Sequence, residues 1–393
     1  MSTDASAPGA TGASGAAAPA FAGRAGFVGL DPVVPDGPVA AAHFGNPMSE
    51  QRPLVAGRAV VDLGDRGVVT VTGPDRLTWL HSLTSQHLLS LAPGGSTETL
   101  LLDASGRLEH AARVVDDGET TWLLVDGPEA APLAAWLDRM RFMLRVEVAD
   151  RSADVATLGA LADVELPVPV LAPAGVPVVW VDPWPGVAPG GHGYAADEGH
   201  PGAAWTWREV LVDRADLPAL AASDLPVVGQ LALEALRIEA WRPRWSTEVD
   251  DRAIPHEVDW LRTAVHLAKG CYRGQETVAK VHNLGHPPRR LVMLHLDGSD
   301  AVLPSRGDVV VVAEPGADPA SARPVGAVTA SALHHELGPV ALALVKRGTD
   351  EAAPLAVLAG DVVVAAAPQT IVPPSAGASA GVPRLPRLGA VRR

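Results

Sequence analysis

Cysteine is almost missing from this chain: Cys271 is the single one among 393 residues. One thiol cannot close an intramolecular disulfide, which fits a reducing compartment. The histidines are scattered and form no HExxH pair, so no structural zinc or other metal site is expected. Lysine is nearly as scarce, at Lys269, Lys280 and Lys346 only, so arginine carries the positive charge. The net charge of −14 excludes a nucleic-acid backbone as main partner, because the average field repels phosphate. No run of about eighteen apolar residues escapes Pro, Gly or charge, so no membrane span is expected. No basic segment followed by an apolar run opens the chain, so no signal peptide is expected either. The default location is the cytoplasm.

What is present is a chain able to bury a large core, with 47% hydrophobic and 19% charged residues. Aromatic residues are few, yet ten are tryptophan. Residues 1–47, rich in Ala, Gly, Pro and Ser, read as a disordered tail, and 374–393 as a flexible tail with a basic finish. Between them, 48–287 reads as two α+β lobes, the middle one at about 160–225. Residues 288–373 read as an all-β domain. From Arg58 to about residue 150 the pattern predicts β-β-α-β-β-β-α-β. GQLALEALRIEAW predicts a helix with Leu233, Leu236 and Ala240 on one stripe and Pro243 as its stop. The loop GVAPGGHGYAADEGHPG is long enough to expect function or disorder. No GxGxxG follows a strand, and there is no GxxxxGK[ST] loop.

The densest chemistry lies in KGCYRGQE, residues 269–276. In an extended conformation Lys269, Cys271 and Arg273 would point to one side. Two cations beside a thiol favour the thiolate. Gly270 and Gly274 would allow a sharp turn or a close ligand approach. Glu276 could serve as acid, base or ion-pair partner. A small, buried and inert cysteine fits the same residues about equally well. His256, His266, His282 and His286 are the nearest candidates for a base.

The octet also matches the signature K-G-C-Y-x-G-Q-E of the YgfZ-type folate-binding proteins, relatives of the glycine cleavage T-protein, an aminomethyltransferase. ALRIEAW (235–241) resembles the LRxEAG element of that superfamily, and AIPHEVDWLRTAVHLAKGCYRGQE (253–276) resembles its approach to the octet. WLHSLTSQHLLSLAPGGSTETLLLDASGRLEHAARV and LDRMRFMLRVEVADRS are similar to its N-terminal region. The resemblance spans roughly 55–350 and leaves out both tails.

It implies an α+β fold of three lobes in a ring, with a C-terminal β-barrel and tetrahydrofolate, or a one-carbon derivative, in or near a central channel. It implies an accessory role in assembly or repair of iron–sulfur enzymes, and through them in tRNA modification. The partners it implies are folate and iron–sulfur clients, with no direct nucleic acid, no membrane and a monomeric state. Carried onto this chain, the reactive set is Cys271, Lys269 and Glu276. Arg237, Glu109, Tyr272, Arg273 and Gln275 face the folate, and Gly270 and Gly274 shape the loop. Two alternatives stand beside it: a folate-dependent aminomethyltransferase or other one-carbon enzyme, and a non-enzymatic scaffold that docks clients. One departure bears on the choice. The aminomethyltransferases carry an Asp pair after a Gly-Gly turn, where this chain, aligned by GRL, has Glu109 and His110. The glycine of LRxEAG is Trp241 here. A classical transferase activity is therefore not expected, with Glu109 the remaining carboxylate.

Overall fold

The computed structural model describes residues 19–32 and 37–381. The first sheet grows from alternating strands rich in β-branched residues. After β1 (Phe27–Gly29), β2 (Ala41–Phe44) and α1 (Pro47–Val55) come β3 (Val60–Asp62), β4 (Gly67–Thr72) and α2 (Arg76–Leu83). Strands β5 (Ser96–Leu102), β6 (Leu108–Asp116) and β7 (Thr120–Val125), helix α3 (Ala130–Met140) and β8 (Glu147–Asp150) complete the lobe. The order from β3 to β8 is the one the sequence pattern predicts. The sheet runs β5-β6-β7-β4-β8, antiparallel throughout. Both its faces are covered. Val69, Val71, Leu123 and Val125 pack under α2 and α3, while Val68, Leu100, Leu102 and Leu124 face the shared core.

The middle lobe contains β9 (Val155–Ala160), β10 (Val179–Val181), β11 (Arg208–Asp213), α4 (Leu217–Ala221) and β12 (Val227–Val228). Its sheet, β10-β11-β9-β3-β12, takes β3 from the first stretch of the chain and pairs it parallel with β12. Helix α5 (Gln230–Glu239) follows, then the short α6 (Trp245–Glu248) and α7 (Gln275–Leu284). The C-terminal lobe is a closed barrel of β13 (Arg289–Leu296), β14 (Val309–Val312), β15 (Pro324–His334), β16 (Gly338–Lys346), β17 (Leu355–Ala359) and β18 (Val362–Thr370). Strand β13 shows the two-residue period plainly. Val292, Leu294 and Leu296 fill the barrel, while Leu291 and Met293 join the core that the lobes share. The architecture is α+β with a C-terminal β-barrel. No helix among the described residues is long and apolar enough to cross a membrane.

Two expectations need correction. Residues 19–32 and 37–47, expected within a disordered tail, are folded. Phe21 is fully buried against the middle sheet with Leu158, Val212 and Leu220. Arg24 donates to the carbonyls of Leu220, Ala221, Ser223 and Leu225. A stretch rich in Ala, Gly and Pro hides three phenylalanines here, Phe21, Phe27 and Phe44, that extend a core built by other segments. At the other end, residues 374–381 pack on α7: the amides of Ser379 and Ala380 donate to the carbonyls of His282 and Asn283, and Ala376 is buried. The remaining parts of both expected tails, 1–18, 33–36 and 382–393, lie outside the described residues.

Replacing Phe21 with Ala should lower stability by about 3 kcal/mol through lost burial and the cavity left behind. Urea titration of the full chain measures this. A change below about 0.5 kcal/mol would mean that the segment contributes no core.

Candidate functional site

The octet does not run as a strand; it is a loop that turns into α7. Lys269 and Tyr272 point inward, while Cys271 and Arg273 are exposed, so the shared face expected from an extended segment is absent. The reason is Lys269. Its ammonium donates to the carbonyls of His81 in the last turn of α2 and of Thr84 and Gln86 just past it, and lies 5.0 Å from the centre of the Tyr272 ring. A cation suits that helix end, whose last carbonyls lack intrahelical partners. Burial lowers Lys269 to about 8 and pushes the Tyr272 phenol well above its ordinary range.

The rest of the octet fastens the loop. Gln275 Nε2 donates to the Lys269 carbonyl at 3.3 Å, and Arg273 pairs with Glu109 at 2.8 Å. Glu109 reaches outward because it is the extra residue of a β-bulge, where Leu101 pairs with His110 and Leu102 with Leu108. His110 lies against Glu129 at 3.1 Å. Gly274 has φ of 83°, and a Cβ there would meet the Asp103 carbonyl oxygen at 2.7 Å. Gly270 has open space around it. Glu276 is exposed in the first turn of α7.

The candidate bases are engaged elsewhere. His256 is buried, and its Nε2 meets the Val278 carbonyl at 3.0 Å. His282 Nδ1 meets Tyr194 Oη at 3.0 Å, and His286 Nδ1 meets the Ala376 carbonyl at 2.7 Å. His266 packs beside His87, with ring centres 5.4 Å apart. The long loop that holds Tyr194 is pinned in place. The amides of Ala188 and His192 donate to the carbonyls of Arg262 and Leu261, and the Tyr194 amide donates to Asp259.

A second centre lies between the two α+β lobes: a narrow cavity of about 40 Å³. Strand β6 contributes Ala111 to Arg113, β11 contributes Glu209, and α5 contributes Leu233 and Arg237. Trp180, Trp205, Trp207, Trp245 and Trp260 line it, five of the ten tryptophans. Arg242 spans the lobes, donating to Asp182 at 2.9 Å and to Glu98 at 2.6 Å. Its guanidinium also lies 5.0 Å from the Trp184 ring and 6.0 Å from that of Trp180. Arg237 reaches the cavity wall, but all three of its nitrogens are engaged. Glu234 takes Nε and Nη2, while Glu248 and the Arg242 carbonyl take Nη1. Glu248 in turn accepts from Thr329 of β15 at 2.8 Å, which ties the barrel to the wall.

Burial dominates the electrostatics of this wall. It lowers Arg66 to about 9, helped by the neighbouring Arg113. It raises Asp182 against the opposing pull of Arg242. At Glu234 burial is outweighed by Arg237 and Arg244, which hold the carboxyl at about 2. Five lining atoms have neither solvent nor a partner: Arg66 Nε, Arg242 Nη1, Trp245 Nε1, Trp260 Nε1 and Glu209 Oε2. Buried polar atoms are nearly always paired, so these five leave hydrogen-bonding capacity unused within the wall. Sequence reasoning reached Arg237 and missed Arg66, Arg113, Glu209 and Arg242. The visible trace was the tryptophan excess in a chain where arginine has replaced lysine. Among the described residues no group of three His, Cys, Asp or Glu side chains can hold a metal ion.

Comparison with known proteins follows the fold. No family model matches the chain. A chloroplastic protein of Arabidopsis thaliana, named as a transferase, is 25% identical over 255 residues, or 61% of this chain and 56% of that protein. The match thus spans little more than half the length of that relative. The crystal structure of glycine cleavage system aminomethyltransferase T from Bartonella henselae covers 88% of this chain and 94% of its own, with a TM-score of 0.64 and 17% identity. The fold is that of aminomethyltransferase T. The T-protein likeness includes the barrel and both α+β lobes. At the turn where the superfamily element carries glycine, Trp241 adopts φ of 58°, a conformation that favours glycine. Its ring is buried and lies 5.2 Å from His200.

Two outcomes follow from this geometry. Gly274→Ala should cost at least about 2 kcal/mol, from the left-handed backbone and the contact with Asp103. Gly270→Ala should stay within about 0.5 kcal/mol; similar losses at both positions would refute the tight-turn account. The second concerns acid. Burial lowers His256 from 6.5 to about 4. Between those values the unfolded chain binds a proton that the folded chain does not, so stability falls as pH drops from about 6.5 to 4. The loss is up to about 3 kcal/mol for this group. His256→Gln, which keeps a donor for Val278, should flatten part of that acid limb in urea titrations at pH 7 and pH 4.5.

Proposed function

We propose that this chain is a folate-binding protein and that its ligand enters between the α+β lobes, where the tryptophan-lined cavity of about 40 Å³ must widen to admit it. The observation that carries the reading is the likeness of the fold to that of aminomethyltransferase T. A flat heteroaromatic ring suits a narrow slot walled by indoles. The 2-amino and N3–H edge of a pterin presents two adjacent donors, and the carboxylate of Glu209 has an oxygen free to accept them. Arg66, Arg242, Trp245 and Trp260 supply N–H groups for the oxygen and ring nitrogens of the ligand. A bound reduced folate would supply a carrier nitrogen for a one-carbon unit. The residues of this chain would hold the ring, exclude water and fix its edge. Likeness to a T-protein fold supports the same reading, since that neighbour is an aminomethyltransferase.

The octet supports a narrower proposal, an accessory role toward iron–sulfur clients of the YgfZ type. Cys271 is exposed and lies outside the residues that line the cavity. Contact between a client and Cys271 therefore need not pass through the folate slot. The aminomethyltransferase alternative has the fold likeness on its side, while the carboxylate considered for it is engaged elsewhere. Glu109, the carboxylate considered for it, is paired with Arg273 outside the cavity, and His110 is turned to Glu129.

Isothermal titration calorimetry with tetrahydrofolate tests the main reading. Wild type should bind, and Glu209→Gln should weaken binding by about tenfold, the cost of roughly one charged hydrogen bond. Cys271→Ser should leave the affinity within about twofold. No heat of binding by wild type, or equal affinity after Glu209→Gln, would remove the reading.

A further inference from the structure

We infer that the cleft between the barrel and residues 247–257 binds an elongated apolar molecule with a carboxylate at each end. This cleft is separate from the tryptophan-lined slot, and the inference does not rest on the folate reading.

The cleft measures about 640 Å³, against about 40 Å³ for the slot, and small-molecule pockets span about 300–1,000 Å³. Helix α6 stands between the two: Trp245 lines the slot, while Thr247 and Glu248 line the cleft. Strands β15 and β16 supply an apolar floor of Val325, Ala327 and Leu344. The carboxylates of the lining are already taken. Asp250 and Glu257 both hold Arg289, at 2.6 and 2.7 Å, and Glu248 holds Arg237 and Thr329. Arg252 lies 3.7 Å from each of Asp250 and Asp251.

Two cations of the lining are left over. Arg306 donates to the Val249 carbonyl at 3.2 Å and Lys346 to the Pro324 carbonyl at 2.6 Å; among the described residues neither pairs with a carboxylate. They sit at opposite ends of the cleft. The amide of Gly307, next to Arg306, donates to the Val328 carbonyl, whereas Lys346 is tied to Pro324. From Pro324 to Val328 the strand runs about 13 Å. Each end therefore offers one uncancelled positive charge beside an apolar floor. The whole chain carries −14, so this surplus is local and not the average of the surface. A single cation matches a monoanionic head such as a carboxylate, whereas a phosphate, with a charge approaching about −2, would stay half balanced.

The full chain is titrated calorimetrically with decanedioate, decanoate and butanedioate. The first has both heads and the apolar middle, the second lacks one head, and the third lacks the length. Decanedioate should bind at least about fivefold more tightly than either, the effect of one further ion pair in partly exposed surroundings. Arg306→Gln and Lys346→Gln, both at exposed positions, should each weaken decanedioate by about fivefold. Glu209→Gln, the variant that probes the folate reading, should leave its affinity within about twofold. No heat with decanedioate, equal binding by decanoate or butanedioate, or an affinity unchanged in either cleft variant overturns the inference. A loss on Glu209→Gln would move the site to the slot and overturn it too. The folate reading stands or falls separately, on the titration with tetrahydrofolate.

Discussion

The guanidinium of Arg242 is the interaction on which the arrangement turns. It sits just after α5, is buried, and joins Glu98 of the first sheet to Asp182 of the middle lobe. Two buried carboxylates that far from solvent need a shared cation, and only arginine offers a planar fork able to serve both. Trp180 and Trp184 flank it and keep water away. Removing either carboxylate would strand a charge, and removing the arginine would strand two, at a cost of several kcal/mol. The cavity, its indole walls and the angle between the lobes all follow from satisfying that one group. The barrel enters the same web through Thr329 and Glu248.

Much of the fold was legible because its signals are local. The run from β3 to β8 shows in alternating apolar residues and turn chemistry, and α5 shows in its stripe of Leu233 and Leu236. The barrel shows in repeated valine-rich strands. Residues 19–32 and 37–47 were not legible, since Phe21 gains its value only from a surface assembled by Leu158 and Leu220 far along the chain. The conformation of the octet was hidden for the same reason. Lys269 reads as a neighbour of Cys271 until the carbonyls of His81, Thr84 and Gln86 are brought to it.

The candidate cavity was the least legible part. Its walls come from segments between Arg66 and Trp260, and no short stretch holds more than a few of them. Arg237 was found through a resemblance and not through spacing. Trp241 illustrates a different limit. A glycine-favouring turn after α5 is filled by a large aromatic residue, so composition at that point hides the backbone geometry. The ring recovers through burial what the left-handed backbone loses, about 1–2 kcal/mol on either side.

The clustering of five indoles around one slot has an optical side. Trp180 lies within 6.0 Å of two guanidinium groups, and Trp205 stacks on Trp207 at 5.5 Å. Half of the tryptophans thus line one narrow slot. Emission from this protein reports on the contents of its centre far more than on its surface, and an absorbing ring in the slot would drain that emission by energy transfer. The molecule carries its own indicator, with no label attached.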